Sequence, residues 1–299
     1  MLNELIIKSM PLIPKSIIKS VAKRYIAGSY LSDAISMTKK FEANGAMTTI
    51  DLLGEFVQEK EKALHERGEI TKIVDAIKSN NLKTYVSIKP TSLGLGIDEN
   101  FGYENIEYLI KYARDNQQFM RLDMENSPYT EKTLNAYSKL RSNGLDNVGV
   151  VIQAYMKRSE NDLINLKEFK PNVRLCKGIY KESAEIAIQD KQAIRDNWKK
   201  LLAFLFENGS YIGIATHDDE LINFALDYIT KNNISRDQYE FQMLLGVRET
   251  RRDEIIKLGH KIRIYTPFGE DWYGYSIRRL EENPDMAGHI FKAFFGIGK

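Results

Sequence analysis

The sequence is short of several things, and each shortage removes a class of protein. A single cysteine in 299 residues leaves no disulfide framework and no Cys-based zinc or iron–sulfur site, and fits a reducing compartment. The four histidines show no HExxH or related metal-binding spacing. Neither sign of charge is in excess: 43 Lys+Arg face 41 Asp+Glu, a formal net charge of +2, too little for a protein whose main partner is nucleic acid. No apolar run approaches the roughly 18–20 residues of a membrane span. The N-terminus lacks the uninterrupted apolar stretch and small-residue cleavage site of a signal peptide. There is no GxSxG elbow. These absences point to a cytoplasmic, soluble protein, and the 43% hydrophobic and 28% charged composition is that of an ordinary globular domain.

What is present is a repeated alternation. From residue 46 onward, eight short β-rich runs (46–53, 83–90, 119–126, 148–155, 173–178, 211–217, 239–245 and 261–267) are separated by longer helical patterns. Those helical patterns cover 54–80, 104–115, 130–142, 184–208, 218–230 and 250–259. Most of the runs are continuous Val/Ile/Leu/aromatic segments, as in strands buried on both faces of a parallel sheet. Eight βα units in about 250 residues predict an α/β fold, a (βα)8 TIM barrel spanning 44–299. A doubly wound open sheet competes, but it usually carries a Gly-rich turn after its first strand, and here Gly54-Glu55-Phe56-Val57 follows instead.

Residues 1–43 form a predicted N-terminal helical arm, with Ile17, Ile18, Val21 and Tyr25 along one face and Lys15, Lys19, Lys23 and Arg24 mostly off it. Such an arm packs across a barrel with its charged side solvated; a basic amphipathic helix can alternatively lie against an anionic membrane.

In barrel enzymes the chemistry sits at the C-terminal strand ends. Those ends offer Asp51 with Glu55, Lys89, Asp123 with Glu125, and Gln153 with Tyr155. The later strands offer Arg174 with Lys177, Thr216 with His217, Gln242, and Tyr265. After the last run, Tyr275, Arg278, Arg279 and Glu282 fall at i, i+3, i+4 and i+7, one helical face. Two readings of that face stand: a surface Arg278–Glu282 pair, or a guanidinium clamp for a carboxylate or phosphate. The Gly-rich 92–102 lacks GxGxxG spacing and reads as a flexible βα loop. His217-Asp218-Asp219-Glu220 suggests either a metal site or the N-terminus of the next helix, and Cys176, inside an apolar strand, reads as buried and inert.

Taken together, YVSIKP (85–90), RLDMEN (121–126), RLCKGIY (174–180), IATH (214–217), EFQMLLGVRE (240–249), IRIYTPFG (262–269) and YSIRRLEEN (275–283) resemble the flavin-dependent proline dehydrogenase family. The likeness runs from the IDLLGE of the first strand to the last helix, and the chain looks like the monofunctional bacterial form. The resemblance implies a distorted (βα)8 barrel that binds FAD non-covalently without a Rossmann motif. It also implies that L-proline is oxidised to Δ1-pyrroline-5-carboxylate by hydride transfer from C5 to flavin N5, with electrons passing to a quinone. By position, Asp123 and Arg174 correspond to catalytic residues. Lys89, Arg278 and Arg279 correspond to the carboxylate grip, and Leu244, Tyr265 and Tyr275 to the wall around the proline ring. Met124, Gln153, Lys177, Gly178, Ile179, Thr216, His217 and Glu282 correspond to FAD contacts, and no metal is implied. Glu55, with Asp123, corresponds to the acids that pair the two arginines, so that three cations facing one substrate carboxylate are neutralised in a pocket where uncompensated charge is costly.

Two positions depart from the pattern. Ile179 stands where relatives have the smaller Ala, and Tyr265 stands where relatives selective for hydroxyproline carry a smaller residue. A Schiff-base aldolase with Lys89 or Lys177 as the amine uses the same fold but leaves the Arg278–Arg279 face without a role. A barrel that only senses flavin or amino acid is the non-catalytic alternative.

Overall fold

The computed structural model describes residues 23–276. Strands β1 (Met47–Leu52), β2 (Tyr85–Ile88), β3 (Met120–Leu122), β4 (Val148–Gln153), β5 (Asn172–Cys176), β6 (Tyr211–Ala215), β7 (Tyr239–Leu244) and β8 (Ile262–Phe268) close into a barrel in chain order. All eight predicted runs are strands, and all eight pairings are parallel. The pairing of β1 with β8, Thr49 opposite Tyr265, closes the sheet and excludes the open doubly wound alternative.

Helix α1 (Leu31–Ala43) precedes β1. Helices α2 (Lys60–Ser79), α3 (Glu99–Asp115), α4 (Ser127–Ser142), α5 (Ser159–Leu166), α6 (Lys191–Glu207), α7 (Asp219–Lys231) and α8 (Glu249–Lys257) follow β1 to β7 in turn. Helix α1 lies against β1 and β8, the slot in which a regular barrel seats its final helix. Its Ala34 and Ile35 join the main core, and Thr38 Oγ1 lies 2.9 Å from Thr48 Oγ1. After β8 the chain turns helical again at 272 and brings Tyr275 to the rim of the barrel.

Four local features differ from the sequence expectation. Residues 23–30 are turns and extended chain rather than helix, tied to the end of β8 by Ala27 N donating to Pro267 O (2.8 Å) and Gly269 N donating to Gly28 O (3.1 Å). The short α5 does not stand out in the sequence. Helix α2 starts at Lys60 and α6 at Lys191, because extended loops and a 2.8 Å cap from Asp190 to Ala193 N delay them. The Gly-rich 92–102 is turns over 92–97, with buried Ser92, Leu93 and Leu95, fastened by Asn105 Nδ2 to Leu93 O at 3.0 Å; Asp98 then caps α3, which takes in 99–102.

Five of these helices stop by a shared device. C-caps Asn44, Asn80, Asn116, Asn208 and Asn232 each turn the side-chain amide back onto the carbonyl four residues earlier, at 2.8–2.9 Å. The following residue is left-handed in each case: Gly45, Asn81, Gln117, Gly209 and Asn233. The left-handed turn and the amide together satisfy carbonyls that a helix end leaves without partners.

The strands alternate more sharply than their apolar runs suggest. Ile50, Val86, Ile88, Met120, Leu122, Val150, Leu175, Ile214, Phe241 and Ile264 join the apolar layer under the helices. Their neighbours Asp51, Tyr85, Ser87, Arg121, Arg174, Glu240, Gln242 and Arg263 are buried polar residues. These polar residues are hydrogen-bonded to one another or to neighbouring strands across the barrel. The barrel interior is therefore a packed polar core.

Candidate active site

At the C-terminal rim the strand ends enclose a cavity of about 670 Å³. Its floor is Arg174, on β5. The guanidinium donates from Nε to Gln242 Oε1 (2.6 Å), from NH1 to Asp123 Oδ1 (2.5 Å) and from NH2 to Ser87 Oγ (3.0 Å), and stands 5.1 Å from the ring centroid of Tyr265. Tyr265 donates to the second oxygen of Asp123 at 2.6 Å. Both oxygens of this buried carboxylate are thus occupied, one by a cation and one by a phenol, a geometry that holds three side chains from three strands in one arrangement. Burial and the neighbouring carboxylates hold the Tyr265 phenol well above its usual value, so it stays protonated and keeps donating.

Beside this cluster, Lys89 is ion-paired with Asp51. Burial opposes a charged Lys89, but Asp51 and Asp123 outweigh it and raise the ammonium above its ordinary value. A lysine held cationic in this way cannot serve as the free amine that a Schiff-base aldolase needs. Burial pushes the Asp51 carboxyl up to about 6, which leaves it ionised at neutral pH. Glu125 accepts from the Thr91 backbone N at 2.9 Å and from its hydroxyl, and burial pushes its carboxyl up to about 7. Gln153 Nε2 is fixed by the Glu125 carbonyl at 3.0 Å.

The opposite rim is more open. Lys177, 42% exposed, donates to Asp218 at 2.9 Å, and Arg195 reaches the same oxygen at 2.8 Å. Asp218 also caps α7 through Glu220 N, so its carboxylate is committed to two cations and a helix end; the helix-start reading of 217–220 holds. His217 Nε2 accepts from Leu244 N at 2.9 Å, which places the proton of the neutral ring on Nδ1. Gly178 has φ +107°, and a Cβ there would fall 2.1 Å from the Tyr155 ring; only glycine lets the chain turn here. Ile179 is 50% exposed at the mouth, whereas Tyr275 is buried with Tyr25, Ile26 and Leu53.

Every described member of the predicted set lines this one cavity: Glu55, Lys89, Asp123, Met124, Gln153 and Arg174, then Lys177, Gly178, Ile179, Thr216 and His217, and finally Leu244, Tyr265 and Tyr275. Arg278, Arg279 and Glu282 lie outside the described residues. The proline dehydrogenase family profile matches residues 34–291. The chain belongs to the proline dehydrogenase family. Proline dehydrogenase 2 of Bacillus subtilis (strain 168) is 37% identical over 271 residues, covering 91% of this chain and 89% of that protein. The proline dehydrogenase of Deinococcus radiodurans is 34% identical over 275 residues, with the same shares covered. A crystal structure of proline utilization A from Bdellovibrio bacteriovorus, inactivated by N-propargylglycine, matches with a TM-score of 0.83 at 25% identity, over 89% of this chain and 33% of that one. Membership makes the protein an enzyme of proline oxidation, the first step of proline catabolism.

The sequence left several lining residues of this proline dehydrogenase without a role. Asp51, Glu125 and Gln242 are visible there as strand-end polar residues, but not as the partners of Lys89, Thr91 and Arg174. Ser87 is absent from the predicted set altogether. The signal that finds it is the period-two spacing of polar residues in otherwise apolar strands: Tyr85, Ser87 and Lys89, or Glu240 and Gln242.

Proposed function

We propose that the protein oxidises L-proline to Δ1-pyrroline-5-carboxylate with FAD held non-covalently in the rim cavity, and passes the electrons to a quinone. The observation that supports this reading best is the buried Asp123–Arg174–Tyr265 cluster, with the Lys89–Asp51 pair beside it, on the floor of a cavity whose other side is open and apolar in part. The donor set also fits a flavin. The volume lies within the roughly 300–1,000 Å³ of small-molecule sites, and the Gln153 amide, Lys177 ammonium, Thr216 hydroxyl and His217 ring line one side of it. Gly178 lines the same cavity. Met124, Ile179 and Glu282 complete the FAD contacts in this reading.

FAD, when bound, would supply the two-electron acceptor for the hydride leaving proline C5, the amine proton being lost to solvent. The chain's own contribution is binding and orientation. Lys89, Arg278 and Arg279 grip the substrate carboxylate, with Glu55 as a compensating acid. Leu244, Tyr265 and Tyr275 wall the ring and exclude water. Arg174, fixed on three sides, presents its charge at the floor without needing to reorganise.

The test is an absorbance spectrum of the purified protein, repeated anaerobically after adding L-proline. A flavin band that bleaches supports the reading. A band that persists with proline but responds to another cyclic amine moves the substrate, and no flavin after incubation with FAD overturns the cofactor.

Among the described residues, no helix is long and apolar enough to cross a membrane. Residues 1–24 carry five basic side chains against Glu4, and we place a peripheral contact with anionic lipid there, close to a quinone pool. Equal liposome binding by the full chain and a chain lacking residues 1–24 would refute that contact.

A further inference from the structure

Beneath the cavity floor lies a second polar layer that the reaction as described does not use. Arg121, fully buried, donates from NH2 to Asn172 Oδ1 at 2.5 Å and from NH1 to Val150 O at 3.0 Å. Arg263 donates to Glu240 Oε1 at 2.6 Å, and Tyr211 donates to the other Glu240 oxygen at 3.1 Å. Between the two guanidiniums stands Tyr85. Arg263 lies 4.1 Å from its ring centroid and Arg121 lies 5.6 Å from it.

Gln242 joins this layer to the floor above. Its Oε1 accepts from Arg174, while its Nε2 donates to Glu240 Oε1 at 2.7 Å and to Tyr85 Oη at 3.1 Å. The amide cannot be turned over. The reverse placement would set N–H against the Arg174 N–H, and oxygen against the Glu240 carboxylate. The side chain enters the barrel only because residue 213 is glycine, where a Cβ would lie 2.5 Å from Gln242 Nε2.

Donors outnumber acceptors around Tyr85 Oη. Gln242 Nε2 donates at 3.1 Å, Arg121 Nε donates at 3.3 Å, and Arg174 also faces the oxygen. The hydrogen bonds found for this oxygen all run into it. The charges are equally uneven, since the guanidiniums of Arg121, Arg174 and Arg263 face the carboxylates of Asp123 and Glu240, three positive charges against two negative in a water-poor interior.

We propose that Tyr85 is a positioning residue that carries the missing negative charge as a phenolate and, through the Gln242 amide, fixes the Arg174 guanidinium at the floor of the proline site. The titratable groups facing it are Arg121 on β3, Arg174 on β5, Tyr211 on β6, Glu240 on β7 and Arg263 on β8. Burial by itself raises the phenol, and Glu240 adds to that. The three guanidiniums outweigh both and bring it below the ordinary tyrosine value. A depressed value means a stabilising contribution that is complete above the unfolded-state value, about 10, and is lost as pH falls through the folded-state value.

The decisive measurement is the NMR spectrum of the full-length protein with 13C at tyrosine Cζ. Among the 16 tyrosines, one resonance is expected at the phenolate position at about pH 8, below the ordinary tyrosine value, and it should vanish in Tyr85→Phe. Phenol shifts for all of them would overturn the proposal. Should Tyr85→Phe fail to fold, Gln242→Asn, which withdraws the amide, should still move that one resonance; a phenolate signal that ignores Gln242→Asn belongs to another tyrosine and also overturns it. The positioning role rests on the proline-oxidising reading of the cavity and is measured separately. Tyr85→Phe should lower kcat/KM for L-proline about tenfold and remove one ionisation from its pH profile, while an unchanged profile would reject the coupling to Arg174. Failure of the flavin spectrum to bleach would count against the cavity reading and leave the NMR result standing.

Discussion

On β2, Val86 and Ile88 join the apolar layer beneath the helices, while Tyr85 and Ser87, their neighbours in the chain, face the barrel interior and are hydrogen-bonded across it. The same alternation holds on β3, where Met120 and Leu122 flank Arg121, and on β7, where Phe241 separates Glu240 from Gln242. The outer layer is non-directional: its energy scales with apolar area, at about 25 cal/mol per Å², and it tolerates rearrangement of similar volume. The inner layer is directional, and each group is committed to named partners. Fold and site are therefore divided between two faces of one set of strands, which predicts that substitutions will separate cleanly into those that move stability alone and those that move both stability and turnover.

The largest effect should come from Arg174→Met. It leaves the buried Asp123 carboxylate without its cation and Gln242 without a donor, a loss of about 3–5 kcal/mol for breaking a buried pair. kcat/KM should fall about 10²–10³-fold, the scale of removing one preorganised charged donor. Denaturant melting and anaerobic flavin reduction measure the two losses. A stable variant with full turnover would erase the distinction between the layers.

Trp198→Ala tests the same strand from behind. Trp198, on α6, is fully buried against the outer face of β5, with its Nε1 3.4 Å from Leu175 O, one residue from Arg174. The cavity it leaves should cost about 3–5 kcal/mol. At temperatures well below the melting point, kcat/KM should nevertheless stay within about twofold. A loss of turnover comparable to that of Arg174→Met would mean that the outer packing, rather than the inner hydrogen bonds, holds the site.

Much of this division could be read from the chain. Long apolar runs at regular spacing place all eight strands, and the strand-end rule then collects Lys89, Asp123, Gln153, Arg174, Lys177, Thr216 and His217 at one rim. Helix starts were less legible because extended loops and caps such as Asp190 decide them, and the eight-residue α5 is too short to show a period. The inner layer was hidden for a different reason. Tyr85 and Gln242 are 157 residues apart, and no local pattern says which polar residue meets which across a closed barrel. Lys89 illustrates this: sequence gives the cation, and only the β1–β2 register, with Asp51 opposite Ser87, supplies Asp51.

The third test concerns a carboxyl that the interior holds at a disadvantage. Burial raises Glu125 to about 7 from the ordinary 4.5, so ionising it costs native stability. That cost is absent below about pH 4.5 and grows as pH rises to about 7, reaching about 3 kcal/mol at roughly 1.36 kcal/mol per unit. Glu125→Gln should remove this pH dependence, so that the variant's advantage over the parent grows between about pH 5 and 7. Parallel stability curves in urea across that range would show that the Thr91 hydrogen bonds hold Glu125 ionised at no cost.

The smallest effect should be at the open rim, where the contrast between the layers fades. Lys177 is 42% exposed and shares Asp218 with Arg195, so Lys177→Met should change stability by less than about 1 kcal/mol. If the ammonium instead serves a bound anionic cofactor, FAD affinity should fall by about fivefold, with the difference shrinking at high salt as screening removes what the charge contributed. A stability loss with unchanged FAD retention would place Lys177 with the structural pairs. A salt-dependent loss of FAD alone would show that a residue outside both layers can act on the cofactor without supporting the fold.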